Sequence, residues 1–149
     1  MSATKRILVP TDFSKYAEAA FEKAVEIAVQ NQAQLYLLHV IDHYMRQCAA
    51  DYCIDDRIMA QIEKTTLSKV AERLQQMGEA VSREKGIEVF SELKEGNPSE
   101  VILQQQRDKK IDLIVVASHG KSAILRNLIG SIASKVVTGA DCNVLVVKS

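Results

Sequence analysis

The chain has 149 residues, nineteen basic and nineteen acidic, for a formal net charge of zero. Such a chain has no overall field to gather nucleic acid or an anionic membrane, and 47% hydrophobic residues with only six glycines and two prolines argue against disorder. No apolar run approaches the roughly 20 residues that span a bilayer.

The length suits one domain over residues 1–149, long enough to bury about two thirds of the extended chain's surface. After Lys5-Arg6 only Ile7-Leu8-Val9 precede Pro10, too few for the apolar stretch of a secretory signal. A cytoplasmic location is therefore expected. Cys48, Cys53 and Cys142 lack C-x-x-C spacing and are expected to be reduced thiols.

The first predicted element is a strand, Arg6–Pro10, whose continuous apolar run suits a strand covered on both faces. It leads into Thr11-Asp12-Phe13-Ser14, where Asp12 or Ser14 can cap a helix beginning near Lys15. Ala17, Ala20, Phe21, Ala24 and Ala28 recur at helical spacing. A second strand is predicted at Gln34–Val40. Asp42 to Asp56 has no clear periodicity and reads as a loop.

Ile58, Ile62, Val70, Leu74, Met77 and Val81 then mark the stripe of a long helix, followed by a strand at Glu88–Leu93. In Asn97-Pro98-Ser99-Glu100, Asn97 is placed as a helix cap, Pro98 at the first position and Glu100 in a capping-box place. A fourth strand is predicted at Leu113–Ser118. Ile132, Val136 and Val137 form the stripe of a last helix that Gly139 can end, before a fifth strand at Asn143–Val147. Strands alternating with helices imply parallel pairing, hence an α/β three-layer sandwich.

Open parallel sheets bind ligands beyond the carboxyl ends of their strands, where the strand order reverses. Asp12, just past the first strand, cannot welcome phosphate but can accept hydrogen bonds from ribose hydroxyls or a base amine. Past the fourth strand, Ser118-His119-Gly120-Lys121-Ser122 is followed by Gly130-Ser131. There glycines would let backbone N–H groups approach an anion, a helix N-terminus follows, and Lys121, Ser122 and Ser131 add a charge and two hydroxyls. The plainer alternative is a turn at Gly120 and a helical glycine at Gly130. Gly120-Lys121-Ser122 is not the end of a P-loop, because position 115 is valine, and no G-x-G-x-x-G follows the first strand.

Taken in order, these motifs resemble the universal stress protein family, from about Lys5 to Lys148. Its ATP-binding members carry G-x2-G-x9-G-[ST] after the fourth strand, where this chain reads Ala117-x2-Gly120-x9-Gly130-Ser131. Val9-Pro10-Thr11-Asp12-Phe13-Ser14 matches V-P-x-D-x-S, Leu37-Leu38-His39-Val40 matches L-x-H-V, and Cys142 to Val147 resembles the family's last strand.

The resemblance implies an adenine nucleotide alpha hydrolase-like fold, with five parallel strands in the order 3-2-1-4-5. It implies ATP with Mg²⁺ as ligand, a homodimer joined through the C-terminal strand at Val144 to Val147, and a protein partner of unknown identity. It places Asp12 near the ribose and adenine, with Pro10 and Thr11 beside it, and Val40 against the base. Gly120, Lys121, Gly130 and Ser131 would surround the triphosphate. Val116, Ala117, Ser118, His119 and Ile132 would line the same loop. Where the family has its first glycine this chain has Ala117, which serves if the position needs only smallness and fails if it needs a positive φ.

A nucleotide-binding regulatory protein of the stress response is the reading that results. The alternative is a stress-response dimer that binds partners without nucleotide. No general base or water activator is identified, so any ATP hydrolysis is expected to be slow. An ATP pyrophosphatase or adenylating enzyme would resemble S-G-G-x-D-S after the first strand, and Pro10-Thr11-Asp12-Phe13-Ser14 lacks both glycines.

His39 and His43 are four apart on a strand end and a loop, with no glutamate between them, unlike a helical zinc pair. Ser118 and His119, adjacent in an extended segment, are expected on opposite faces, against a hydrolase triad with Asp12. Cys48 and Cys53 read as ordinary thiols, and Gln104 to Lys110 as a solvated helix end.

Overall fold

Short apolar strands that alternate with amphipathic helices can bury both faces of a sheet only if helices cover both sides. The computed structural model describes residues 3–42, 55–120 and 128–148. In chain order the elements are β1 (Arg6–Pro10), α1 (Lys15–Asn31), β2 (Gln34–Ile41), α2 (Asp56–Lys85), β3 (Val89–Glu95), α3 (Pro98–Asp108), β4 (Leu113–Ala117), α4 (Ser131–Gly139) and β5 (Asn143–Val147). The strands form one parallel sheet in the order β3-β2-β1-β4-β5, the expected one.

Alternate residues of each strand feed two cores, as the two-residue period of a strand requires. Ile7, Val9, Leu35, Leu37 and Val115 meet Ala20, Phe21 and Ala24 of α1 and Leu74 of α2. Leu8, Leu38, Ile114 and Val116 meet Ile102 of α3 and Ala133 and Val136 of α4. The small alanines of α1 let that helix lie close to the sheet, and its predicted stripe is buried throughout.

The stripe of α2 is only half used. Leu74 is buried, and Met77 and Val81 pack against the first core, but Ile58 and Ile62 are 55% and 52% exposed. Thirty residues make a helix about 45 Å long, whereas the eight-residue β2 spans roughly 26 Å. The helix therefore outruns the sheet. In α4 only Val136 of the predicted stripe is buried, and Ile132 and Val137 are half exposed.

The expected cap of α3 is present. Asn97 Oδ1 accepts from the Glu100 N–H at 3.2 Å, with Pro98 in the first turn. Gly139 is the last residue of α4, but the helix ends because Ala140 turns to an extended backbone rather than through a left-handed glycine. What Gly139 supplies is room, since a Cβ there would come 2.8 Å from Leu103 Cδ1 of α3. Of the predicted Asp42 to Asp56 loop, residues 43–54 lie outside the described residues, among them His43, Cys48 and Cys53. Helix α2 begins at Asp56, capped by Asp55.

Two substitutions separate the docked and overhanging parts of α2. Leu74→Ala should lower the unfolding free energy by about 2–5 kcal/mol, and Ile62→Ala should stay within about 0.5 kcal/mol of wild type, both read by urea denaturation. A comparable loss at Ile62 would show that the overhang is covered.

Candidate functional site

Strand β1 is bonded to β2 on one side and to β4 on the other. The segments leaving β1 and β4 therefore diverge at the carboxyl end of the sheet and open a crevice between them. A cleft of about 360 Å³ lies there, at the small end of the range for ligand sites. Pro10, Thr11, Asp12 and Ala17 form one wall, Val116 to Gly120 and Leu128 to Ala133 another, and Val40, Pro98 and Ile102 complete it.

Every predicted site residue among the described ones lines this cleft, namely Pro10, Thr11, Asp12, Val40, Val116, Ala117, Ser118, His119, Gly120, Gly130, Ser131 and Ile132. Lys121 and Ser122 lie outside the described residues. Sequence reasoning missed Ala17, Pro98, Ile102, Leu128, Ile129 and Ala133. The apolar pair just before Gly130 was the one local signal for any of them.

On the first wall, Ser14 is the residue that caps α1, and Asp12 braces Ser14. Ser14 Oγ accepts from the Ala17 N–H at 3.2 Å, while Asp12 Oδ1 accepts from the Ser14 N–H at 3.0 Å and from the Ser14 hydroxyl. The other Asp12 oxygen faces across the cleft, where a Cβ added to Gly120 would come 3.0 Å from it. Thr11 donates its N–H to Leu38 O at 2.8 Å, and its own carbonyl accepts from His39 Nδ1 at 2.6 Å. Since a carbonyl can only accept, Nδ1 of His39 carries hydrogen and is not a metal ligand. Among the described residues no group of three or more metal-binding side chains is gathered.

On the opposite wall, Ala117 is the last residue of β4, paired with Val147, and its methyl packs against the first core. It does not have a positive φ. Alanine therefore carries no left-handed strain at this position.

Gly130 corrects the expectation that its amide would wrap an anion. Its N–H donates to Ser118 O at 2.7 Å, and a Cβ at Gly130 would stand 3.2 Å from that oxygen. The glycine is there for close approach. Gly130 is the N-cap of α4 and gives it no side-chain cap, so the first-turn amides and the positive end of the helix dipole lie in the cleft wall at Ser131 to Ala133.

The expected opposition of Ser118 and His119 is also corrected. Strand β4 stops at Ala117, the alternation stops with it, and Ser118 Oγ lies 2.8 Å from His119 Nδ1. Ser118 is 2% exposed and its carbonyl and amide are engaged by Gly130 and Val147, which suits a structural role rather than a nucleophile. The His119 ring packs against Tyr16, with centroids 5.6 Å apart. Away from the cleft, burial, with help from the Asp112 carboxylate, pushes the Cys142 thiol up, against forming thiolate.

The universal stress protein family model matches residues 3–148. The chain belongs to the universal stress protein family. A universal stress protein of Methanocaldococcus jannaschii is 32% identical over 147 residues, 97% of this chain and 82% of that protein. A universal stress protein A homolog of Coxiella burnetii is 30% identical over 149 residues, 99% and 97% of the two chains. The solved structure of universal stress protein UspA from Lactobacillus plantarum matches with a TM-score of 0.81 at 29% identity, covering 99% of both chains. The strand order and layers are those of the adenine nucleotide alpha hydrolase-like fold that these universal stress proteins adopt.

Asp12→Asn keeps an oxygen acceptor for Ser14 and should leave stability nearly unchanged. Asp12→Ala loses both bonds and should cost about 1 kcal/mol. Thermal unfolding of the two variants decides this, and equal losses would show that the charge, not the acceptor, braces the turn.

Proposed function

We propose that this universal stress protein binds an adenine nucleotide in the cleft and acts as a cytoplasmic regulatory protein of the stress response. The observation that carries the reading is the pairing of opposite chemistries across the cleft. A carboxylate at Asp12 faces one side, and the N-terminus of α4, whose cap residue Gly130 has no side chain to offer, forms the other.

Asp12 suits ribose hydroxyls or a base amine, which donate to it. The α4 amides suit phosphate oxygens, which accept from them. Val40, Ile102 and Ile132 offer the apolar surface that a base needs. Two solved universal stress protein structures of this fold, 21% and 20% identical to this chain, are complexes with cAMP and with dAMP. They support the idea that a protein of this fold can bind an adenosine phosphate.

ATP is the first ligand to test. Mg²⁺ would ride on its phosphate oxygens and water, as that ion commonly does, rather than in a protein cage. The engaged Gly130 amide favours a second reading, a partner-binding module without nucleotide, because it leaves one donor fewer for an anion.

A homodimer through β5 is part of the proposal. Both β3 and β5 are sheet edges, but β3 carries Glu92, Lys94 and Glu95, whereas Asn143–Val147 has no charge to deter pairing.

Equilibrium binding of labelled ATP, AMP and cAMP to wild type and to Gly130→Arg tests the site. The arginine side chain would enter the cleft beside the Ser118 carbonyl, and affinity should fall at least about tenfold, near 1.4 kcal/mol. Equal affinity of the two proteins would remove the site, and no binding by wild type would leave the partner-module reading. Sedimentation equilibrium reads the dimer, and a monomer at every concentration would remove that part.

A further inference from the structure

Phe13 follows directly on Asp12 and has φ 63°, a region that aromatic residues seldom occupy. Strain of this kind persists only where the surroundings over-determine the backbone. Here they come from two directions. From β2, His39 reaches the Thr11 carbonyl at 2.6 Å and sets its ring 4.8 Å from that of Phe13. From α2, the Arg73 guanidinium carbon sits 4.3 Å from the Phe13 ring centre.

The turn is tied internally as well, since the Phe13 N–H donates to Thr11 Oγ1 at 3.0 Å. Thr11 is thus held at its N–H by Leu38, at its carbonyl by His39 and at its hydroxyl by Phe13. Asp12 lies between two residues that His39 touches, Thr11 and Phe13, yet His39 is not itself in the cleft wall.

We infer that His39 is a positioning residue for ligand binding. Its Nδ1–H bond to the Thr11 carbonyl and its packing on Phe13 hold the strained turn that aims the Asp12 carboxylate into the cleft. This rests on the nucleotide reading above. One planar side chain does two things here that an aliphatic residue cannot combine, a fixed donor to Thr11 and a face for Phe13.

Calorimetric titration with ATP and AMP, alongside urea unfolding, tests this on wild type, His39→Leu, His39→Asn, Asp12→Asn and the double variant His39→Leu/Asp12→Asn. The Asn amide nitrogen can take the place of Nδ1. His39→Leu should bind roughly tenfold more weakly and His39→Asn within about threefold of wild type, with little further loss when His39→Leu is added to Asp12→Asn.

A purely structural His39 would lower stability without changing the affinity of the folded protein, or would weaken binding equally with and without the Asp12 charge. Either result overturns the inference alone. Absence of binding by wild type overturns the nucleotide reading and this inference with it. If His39→Leu does not fold, His39→Gln, which moves the donor by one methylene, takes its place, and unchanged affinity there overturns the inference.

Discussion

The placing of β1 between β2 and β4 is the constraint on which the molecule turns. Because all five strands are parallel, each is joined to the next by a crossover, and a chain that grows outward from β1 first in one direction and then in the other leaves a gap where the two directions part. The crevice is a consequence of connectivity rather than of any one side chain. It opens at the carboxyl end, where β1 releases chain into Thr11 to Ser14 and β4 into Ser118-His119-Gly120.

The two walls of the crevice are fixed by different physics. On the β1 side, a chain of side-chain acceptors runs from Asp12 to Ser14 to the first turn of α1, and it works because hydrogen bonds to a helix start satisfy amides that have no partner inside the helix. On the β4 side the joint is backbone to backbone. Gly130 N–H on Ser118 O, and Ser118 N–H on Val147 O, tie the start of α4 to the ends of β4 and β5. Gly130 allows that approach because a larger residue would press on the Ser118 carbonyl. The same bond engages its amide, while the first turn of α4, Ser131 to Ala133, lines the cleft.

Helices α1 and α3 show how the cleft acquires its apolar surface. Ala17 begins the buried stripe of α1, and Ile102 belongs to the second core, yet both also reach the cleft wall. The floor of the site is thus continuous with the core. Packing that stabilises the sheet also shapes the cleft.

Much of this was legible in the residues themselves. The five strands could be located to within about two residues because their apolar runs are short and their neighbours break the pattern, and because capping is a local act the cap at Asn97 could be named and that of α1 narrowed to Asp12 or Ser14. The walls of the cleft were legible too, since strand ends are where ligands of such sheets gather. Other features depend on which distant segment comes near, and local periodicity holds no information about that. Ile58 and Ile62 share the stripe of Leu74 and yet are half exposed, because helix length and strand length are set separately. Only the folded chain brings Pro98 and Ile102 to the cleft, turns the Gly130 amide onto Ser118, and joins Ser118 to His119 just past the end of β4. The sequence by itself determined the elements and the order of their chemistry. The tertiary structure decided which donors and faces remain open, because a hydrogen bond or a contact belongs to two places in the chain and the sequence spells out only one at a time.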